Sequence, residues 1–138
     1  MTTTTASPST TAAPTPTSGA TRALRTNAAY CAASGVVAIA ASGPLADRLD
    51  LPRWLLAAVG VGLLAYAPII WFFANRRPVR RTELLAAFWG DVGWCLAAVV
   101  LISWPGLLSG AAAASLAVVS APVLVFAVWE WRSRPDSI

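Results

Sequence analysis

Long apolar segments constrain the fold of this chain more than any other feature of its sequence. Four of them lie near positions 27–43, 53–74, 83–103 and 107–130. The hydrocarbon core of a bilayer is about 30 Å thick, and a helix needs about 20 mainly apolar residues to cross it. Each segment meets or approaches that length. The sequence therefore predicts an all-α fold, a four-helix transmembrane bundle made of two helical hairpins.

A water-soluble helical bundle is the main alternative. It would need a polar face on each helix, because a soluble helix buries only one side. Residues 55–74 and 111–129 contain no charged side chain, and hydrophobic residues make up 57% of the chain. That share exceeds the usual composition of soluble domains. We therefore expect residues 25–132 to form a membrane domain.

The N-terminal segment, residues 1–24, has a different composition. It is rich in Thr, Ala, Pro and Ser and contains no aromatic residue. Such a segment cannot bury enough apolar surface to offset the entropy lost on ordering it. The sequence predicts a disordered tail over 1–24, and residues 133–138 form a short tail at the other end.

The positions of the arginines predict the orientation of the chain. All ten basic residues are Arg, a composition typical of high-GC actinobacterial genomes. Eight of them lie before the first apolar segment, between the second and third, or after the fourth. Only Arg48 and Arg53 lie on the opposite side, beside Asp47 and Asp50. Because positively charged loops are retained in the cytoplasm, we expect a bacterial plasma-membrane protein with both termini cytoplasmic.

The first apolar segment allows a second interpretation. Arg22 and Arg25 precede a weakly apolar stretch over 28–41 that is followed by small residues, as in a cleaved signal peptide. Cleavage would leave three spans. The long polar segment before Arg22 is unusual for a leader, so we prefer an uncleaved span in which Ser34 and Gly35 allow close helix packing.

One carboxylate, Asp91, lies well inside the third apolar segment. Counting 1.5 Å per residue places it about 10–14 Å below the inner surface. A charge at that depth costs about 2.5 kcal/mol or more on insertion scales, so Asp91 should face the bundle interior. We predict an intramembrane polar site of Asp91, Tyr66, Ser34 and Trp94. The preferred partner of Asp91 is Tyr66, whose hydroxyl can donate to either protonation state of the carboxyl group. The alternative is the polar face of the first helix, which carries Asn27, Cys31 and Ser34.

Two roles for Asp91 follow from this position. In the first, it is a packing contact worth about 0.6–2 kcal/mol, in a protein with a structural or accessory, partner-binding role. In the second, it is the proton or cation site of a small oligomeric proton-coupled transporter, since intramembrane ionisable residues often serve function. The first role is preferred, because four helices should enclose little space and no second intramembrane charge is evident.

The residue types argue against an enzyme. The chain contains no His and no Lys, which removes imidazole-activated nucleophiles, the common zinc sites and Schiff-base chemistry. Cys31 and Cys95 are single thiols in different helices, an arrangement that disfavours a disulfide or a metal pair. We expect no catalytic residue, no metal and no cofactor.

The basic segment between the second and third spans has a membrane explanation. It contains Arg76, Arg77, Arg80 and Arg81. A basic side chain near anionic headgroups contributes about 1 kcal/mol to membrane attraction. We therefore expect lipid headgroups or a partner protein to contact this loop, and not nucleic acid. The lipid bilayer is the main expected partner, with a homo-oligomer or another membrane protein as alternatives.

The same segment carries a resemblance to known proteins. RRPVRRTELLAAFWGDVGW resembles the segment that enters the third helix of small four-span bacterial integral membrane proteins, a group of uncharacterised function. Arg76, Arg77, Pro78, Asp91 and Trp94 carry the match, which extends over about 25–132. The resemblance implies a fold and a membrane location, without an activity. The chain is also similar in size to small multidrug resistance transporters, but it lacks their acidic residue in the first span.

Overall fold

The computed structural model describes residues 19–133, and the regular structure of that part is entirely α-helical. Five helices follow one another along the chain: α1 (Gly19–Ala40), α2 (Ser42–Leu49), α3 (Arg53–Asn75), α4 (Arg81–Ser103) and α5 (Gly110–Arg132). The predicted all-α class is confirmed. α1 begins at Gly19, so positions 19–24 of the segment predicted as a disordered tail are helical. Residues 1–18 and 134–138 lie outside the described residues.

Three of the helices are suited to a bilayer. α3, α4 and α5 each contain 23 residues, a length of about 35 Å, and are apolar enough to cross a membrane. Large apolar side chains lie on their outer surfaces, for example Val118 at 71% exposure and Val125 at 63%. Extensive exposed apolar surface is rare on soluble monomers and marks membrane or protein contact. The arrangement is compatible with a multi-pass membrane protein.

The first apolar segment is bent rather than continuous. α1 and α2 meet at an angle of 80° and together qualify, by length and composition, as a broken span or a re-entrant loop. Pro44 has no N–H to donate to the carbonyl of Ala40, which weakens the helix at this point. The N–H of Leu45 donates to the carbonyl oxygen of Ala41 at 2.9 Å. This hydrogen bond forms the first turn of α2. The number of spans is thus three, or four if the bent pair counts as one.

The long helices pack as two hairpins, as predicted. α1 lies along α3, and α4 lies along α5. α1 and α3 are closest at two glycines. A Cβ atom on Gly35 would lie 2.8 Å from the carbonyl oxygen of Gly60, and one on Gly60 would lie 2.8 Å from that of Gly35. Only residues without a side chain let two helix backbones approach this closely.

The hairpins meet at the end of the molecule that carries the α3–α4 loop. A buried core there joins α1, α3 and α4, with Ala20, Leu24, Ala28, Ile70, Ala74, Leu84 and Ala87. Farther from that loop, α1, α3, α4 and α5 surround a cavity of about 440 Å³. The fold thus has a closed end and a space between the hairpins.

Candidate intramembrane polar site

The cavity between the hairpins collects the residues of the predicted polar site. Asp91, Tyr66, Ser34 and Trp94 all line it, although they come from three different helices. The rest of the wall is mainly aliphatic and aromatic. The structure therefore brings the four residues to one place, and their functional role stays a prediction.

Asp91 has its partner on the polar face of α1. The side-chain amide of Asn27 donates a hydrogen bond to Asp91 Oδ2 at 2.8 Å, and Asp91 is only 3% exposed. The sequence offered Tyr66 and the first helix as partners of Asp91, and the hydrogen bond comes from the first helix. The hydroxyl of Tyr66 donates instead to the carbonyl oxygen of Ala87 at 3.4 Å. Tyr66 fits there because Gly90 has no Cβ, which would lie 2.5 Å from the Tyr66 hydroxyl oxygen.

A second carboxylate shares the same amide. Asn27 Nδ2 also donates to Glu130 Oε1 at 3.0 Å, so its two N–H bonds serve two acid side chains. Asn27 and Glu130 are both 0% exposed. The three side chains, called here the carboxylate cluster (Asn27, Asp91 and Glu130), join α1, α4 and α5. A second buried acid side chain therefore accompanies Asp91, which was not expected from the sequence.

Sequence reasoning missed Glu130 because it stands at the end of the last apolar segment, where a charge normally reaches water. The spacing of α5 carries a signal that could have found it. Ser120, Val123, Ala127 and Glu130 follow one another at intervals of three and four, which places them on one helix face. All four are buried. Glu130 thus lies on the face of α5 that packs against the other helices.

The cluster contains two acid side chains and no basic one. Within residues 19–133, the one ion pair joins Arg76 and Glu83 at 3.4 Å, so neither Asp91 nor Glu130 has a basic side chain within 4 Å. In the same part of the chain, Glu130 Oε2 is buried without a hydrogen-bond partner. Like charges repel strongly where the dielectric constant is low. A proton or a cation bound here would reduce that repulsion.

The cluster lies at the end of the cavity that is nearer the α3–α4 loop. The residues of α1 that line the cavity follow Asn27 in sequence, and most of those of α4 follow Asp91. Side chains also tie the wall together across helices. Trp94 Nε1 donates to Ser120 Oγ at 3.2 Å, and the Tyr30 hydroxyl donates to the Val119 carbonyl oxygen at 2.7 Å. Ser34 lines the wall one helical turn beyond Cys31.

The predicted headgroup-binding residues lie together at the closed end. Arg76, Arg77, Arg80 and Arg81 are exposed. Arg76 is engaged within the protein, since it pairs with Glu83 and lies 4.6 Å from the centre of the Phe72 ring. The other three guanidinium groups extend the basic surface of the loop. Their contact with lipid or with a partner protein stays a prediction.

The described residues provide neither a disulfide nor a metal site. Cys31 and Cys95 are free thiols, and Cys31 donates to Asn27 Oδ1 at 3.4 Å. Between positions 19 and 133 there is no group of three His, Cys, Asp or Glu side chains able to hold a metal ion. Neither a protein-family model, nor a curated protein, nor a solved structure matches this chain.

Proposed function

We propose that the chain is a small four-span integral protein of the bacterial plasma membrane, with both termini cytoplasmic and an accessory, non-enzymatic role. Three continuous apolar helices and the bent pair α1–α2 support four spans. The basic α3–α4 loop lies at the same end as the start of α1, since Arg25 Nη2 donates to Asn75 Oδ1 at 2.9 Å. Collected positive charge at one end supports the cytoplasmic assignment of that end.

The observation that carries the accessory role is the double hydrogen bond of Asn27. One amide group in the first hairpin binds acid side chains on both helices of the second hairpin. A contact of this kind holds two mainly apolar hairpins in one relative position, because any displacement leaves a buried carboxylate without a partner. The cluster then serves to define the shape of the protein for a partner or for the membrane.

Labelling of single cysteines tests the orientation. In a chain carrying Cys31→Ala and Cys95→Ala, we expect Leu107→Cys to react with a membrane-impermeant maleimide on intact cells. Arg77→Cys should react only after the membrane is permeabilised. Both side chains are exposed, so a difference between them reports the side of the membrane and not burial. Labelling of Arg77→Cys in intact cells would contradict cytoplasmic termini.

The second candidate function is proton-coupled transport. Two observations favour it: Glu130 provides a second buried carboxylate beside Asp91, and the helices border a half-open cavity of about 440 Å³ next to Asp91. A proton taken up by either acid side chain would neutralise one charge of the cluster. Buried ionisable groups of this kind form proton relays in membrane transporters.

The isosteric substitution Asp91→Asn separates the two functions. Asn keeps an oxygen that can accept from Asn27 but removes the charge, and charge-assisted hydrogen bonds are stronger than neutral ones by about 1 kcal/mol. For a structural tie, we therefore expect Asp91→Asn to lower the free energy of unfolding by about 1 kcal/mol. Thermal unfolding of the purified protein in detergent, compared with Thr26→Ala on the exposed side of α1, measures this difference.

An equal or higher stability of Asp91→Asn would contradict the tie. It would mean that the charge is retained at the expense of stability, as at many functional sites. Proton movement into proteoliposomes containing wild type, but not those containing Asp91→Asn, would then support transport.

A further inference from the structure

The cavity has the dimensions of a small-molecule site. Its volume of about 440 Å³ falls within the range of about 300–1,000 Å³ typical of ligand pockets. Three aromatic residues, Tyr30, Tyr66 and Trp94, line it together with aliphatic side chains such as Val59 and Val123. The wall therefore suits the apolar body of an organic molecule.

Two acid side chains lie at the end of this cavity that is nearer the α3–α4 loop. Asp91 lines the cavity. Glu130 accepts a hydrogen bond from the same Asn27 amide group as Asp91. In the part of the chain from 19 to 133, no basic side chain lies within 4 Å of either carboxylate. Glu130 Oε2, fully buried, has no hydrogen-bond partner there. A positive group beside Asp91 would interact favourably with both acid side chains.

The polar atoms of these three aromatic side chains are engaged within the protein. The hydroxyl groups of Tyr30 and Tyr66 donate to backbone carbonyl oxygens, and Trp94 Nε1 donates to Ser120. Because these polar atoms are already engaged, a ligand would meet the rings. Aromatic faces attract cations, most strongly where water is excluded.

We propose that this cavity binds an organic cation, with its positive group beside Asp91 and its apolar body against the aromatic and aliphatic wall. Such binding goes beyond both functions proposed above, since neither a structural tie nor proton movement requires it. A molecule of the same shape with a negative charge would be repelled by Asp91 and Glu130. The charge of a ligand, and not its shape alone, should therefore determine whether it binds in the cavity.

Two ions of matched size and opposite charge test this criterion. Tetraphenylphosphonium and tetraphenylborate have the same four-ring shape, and equilibrium dialysis against the purified full chain in detergent measures the affinity of each. We expect saturable binding of the phosphonium ion and at least tenfold weaker binding of the borate ion. Asp91→Asn should weaken phosphonium binding at least tenfold. Equal affinity for the two ions, no saturable binding, or unchanged affinity in Asp91→Asn would overturn the proposal.

A second variant tests the location without altering the acid side chains. Gly93 lines the cavity, and a Cβ atom there would meet no atom within 4 Å. Gly93→Leu should therefore fold, take up cavity volume and reduce phosphonium binding at least tenfold. Gly110→Leu is the control, because Gly110 also has open space but lies outside the cavity. Equal binding by the two variants would place the ion elsewhere and overturn the proposal.

Protection from chemical modification tests the wild-type protein alone, in case Asp91→Asn does not fold. A carbodiimide modifies carboxyl groups in apolar sites, and mass spectrometry of the digested protein locates the adduct. We expect tetraphenylphosphonium to slow modification of Asp91 severalfold, and tetraphenylborate at the same concentration to leave it unchanged. Equal rates with and without the phosphonium ion would contradict binding beside Asp91.

Discussion

Asn27→Leu is expected to lower the free energy of unfolding by about 2–5 kcal/mol. Leucine has the same branching and the same number of non-hydrogen side-chain atoms, so it approximates the shape of Asn27, but both N–H donors are lost. Asp91 and Glu130 would then remain buried without the amide that both accept from. Equilibrium unfolding of the purified protein in detergent measures the loss, with Thr26→Leu on the exposed side of α1 as the control.

The size of that loss also reports the charge state of the cluster. Neutral hydrogen bonds between transmembrane helices contribute only about 0.6 kcal/mol on average. A loss below about 1 kcal/mol would therefore contradict a charged cluster. If the loss is large, adding Glu130→Gln to Asn27→Leu should recover part of it, because one unpaired charge is removed. A double-mutant cycle then gives the coupling between the two side chains.

Alanine at Gly35 or Gly60 is the second substitution with a large expected effect, a loss of about 1–3 kcal/mol from overpacking. Each new Cβ would lie 2.8 Å from a carbonyl oxygen of the facing helix. Backbone atoms cannot move aside as a flexible side chain can, so α1 and α3 must separate. The same unfolding measurement in detergent detects the loss.

Gly62→Ala is the matched control for these glycines. It lies on α3 two residues beyond Gly60, and a Cβ atom there would meet nothing within 4 Å. Alanine is the better helix former by up to about 1 kcal/mol, so we expect Gly62→Ala to keep or raise stability. A similar loss in all three variants would show that the close approach of α1 and α3 does not determine the effect.

The positions and the type of the long helices could be predicted from the sequence because each helix satisfies its own backbone hydrogen bonds. A run such as 55–74, apolar on every side, needs no knowledge of its neighbours to be assigned to a membrane span. The bend at Ala41 was harder to predict from the sequence. Pro44 signals a break in α1, but the 80° angle between α1 and α2 depends on how α2 packs against the other helices.

The site was only partly predictable. Counting residues predicted that Asp91 lies inside the bundle, and its burial agrees with that prediction. The choice of Asn27 over Tyr66 as its partner depends on the rotation of α1 and α3 about their own axes. That rotation is set by contacts between distant parts of the chain, such as the approach of Gly35 to Gly60.

The sequence by itself determined the helical class, the long apolar helices and the presence of one buried carboxylate, because helix length and hydropathy are properties of one segment at a time. Only the tertiary structure decided that Glu130 joins Asp91 on one amide, and that the two hairpins leave a cavity beside them. Both features arise where three or more helices meet. The physical reason is that packing between helices fixes their rotation and tilt, which no single segment encodes.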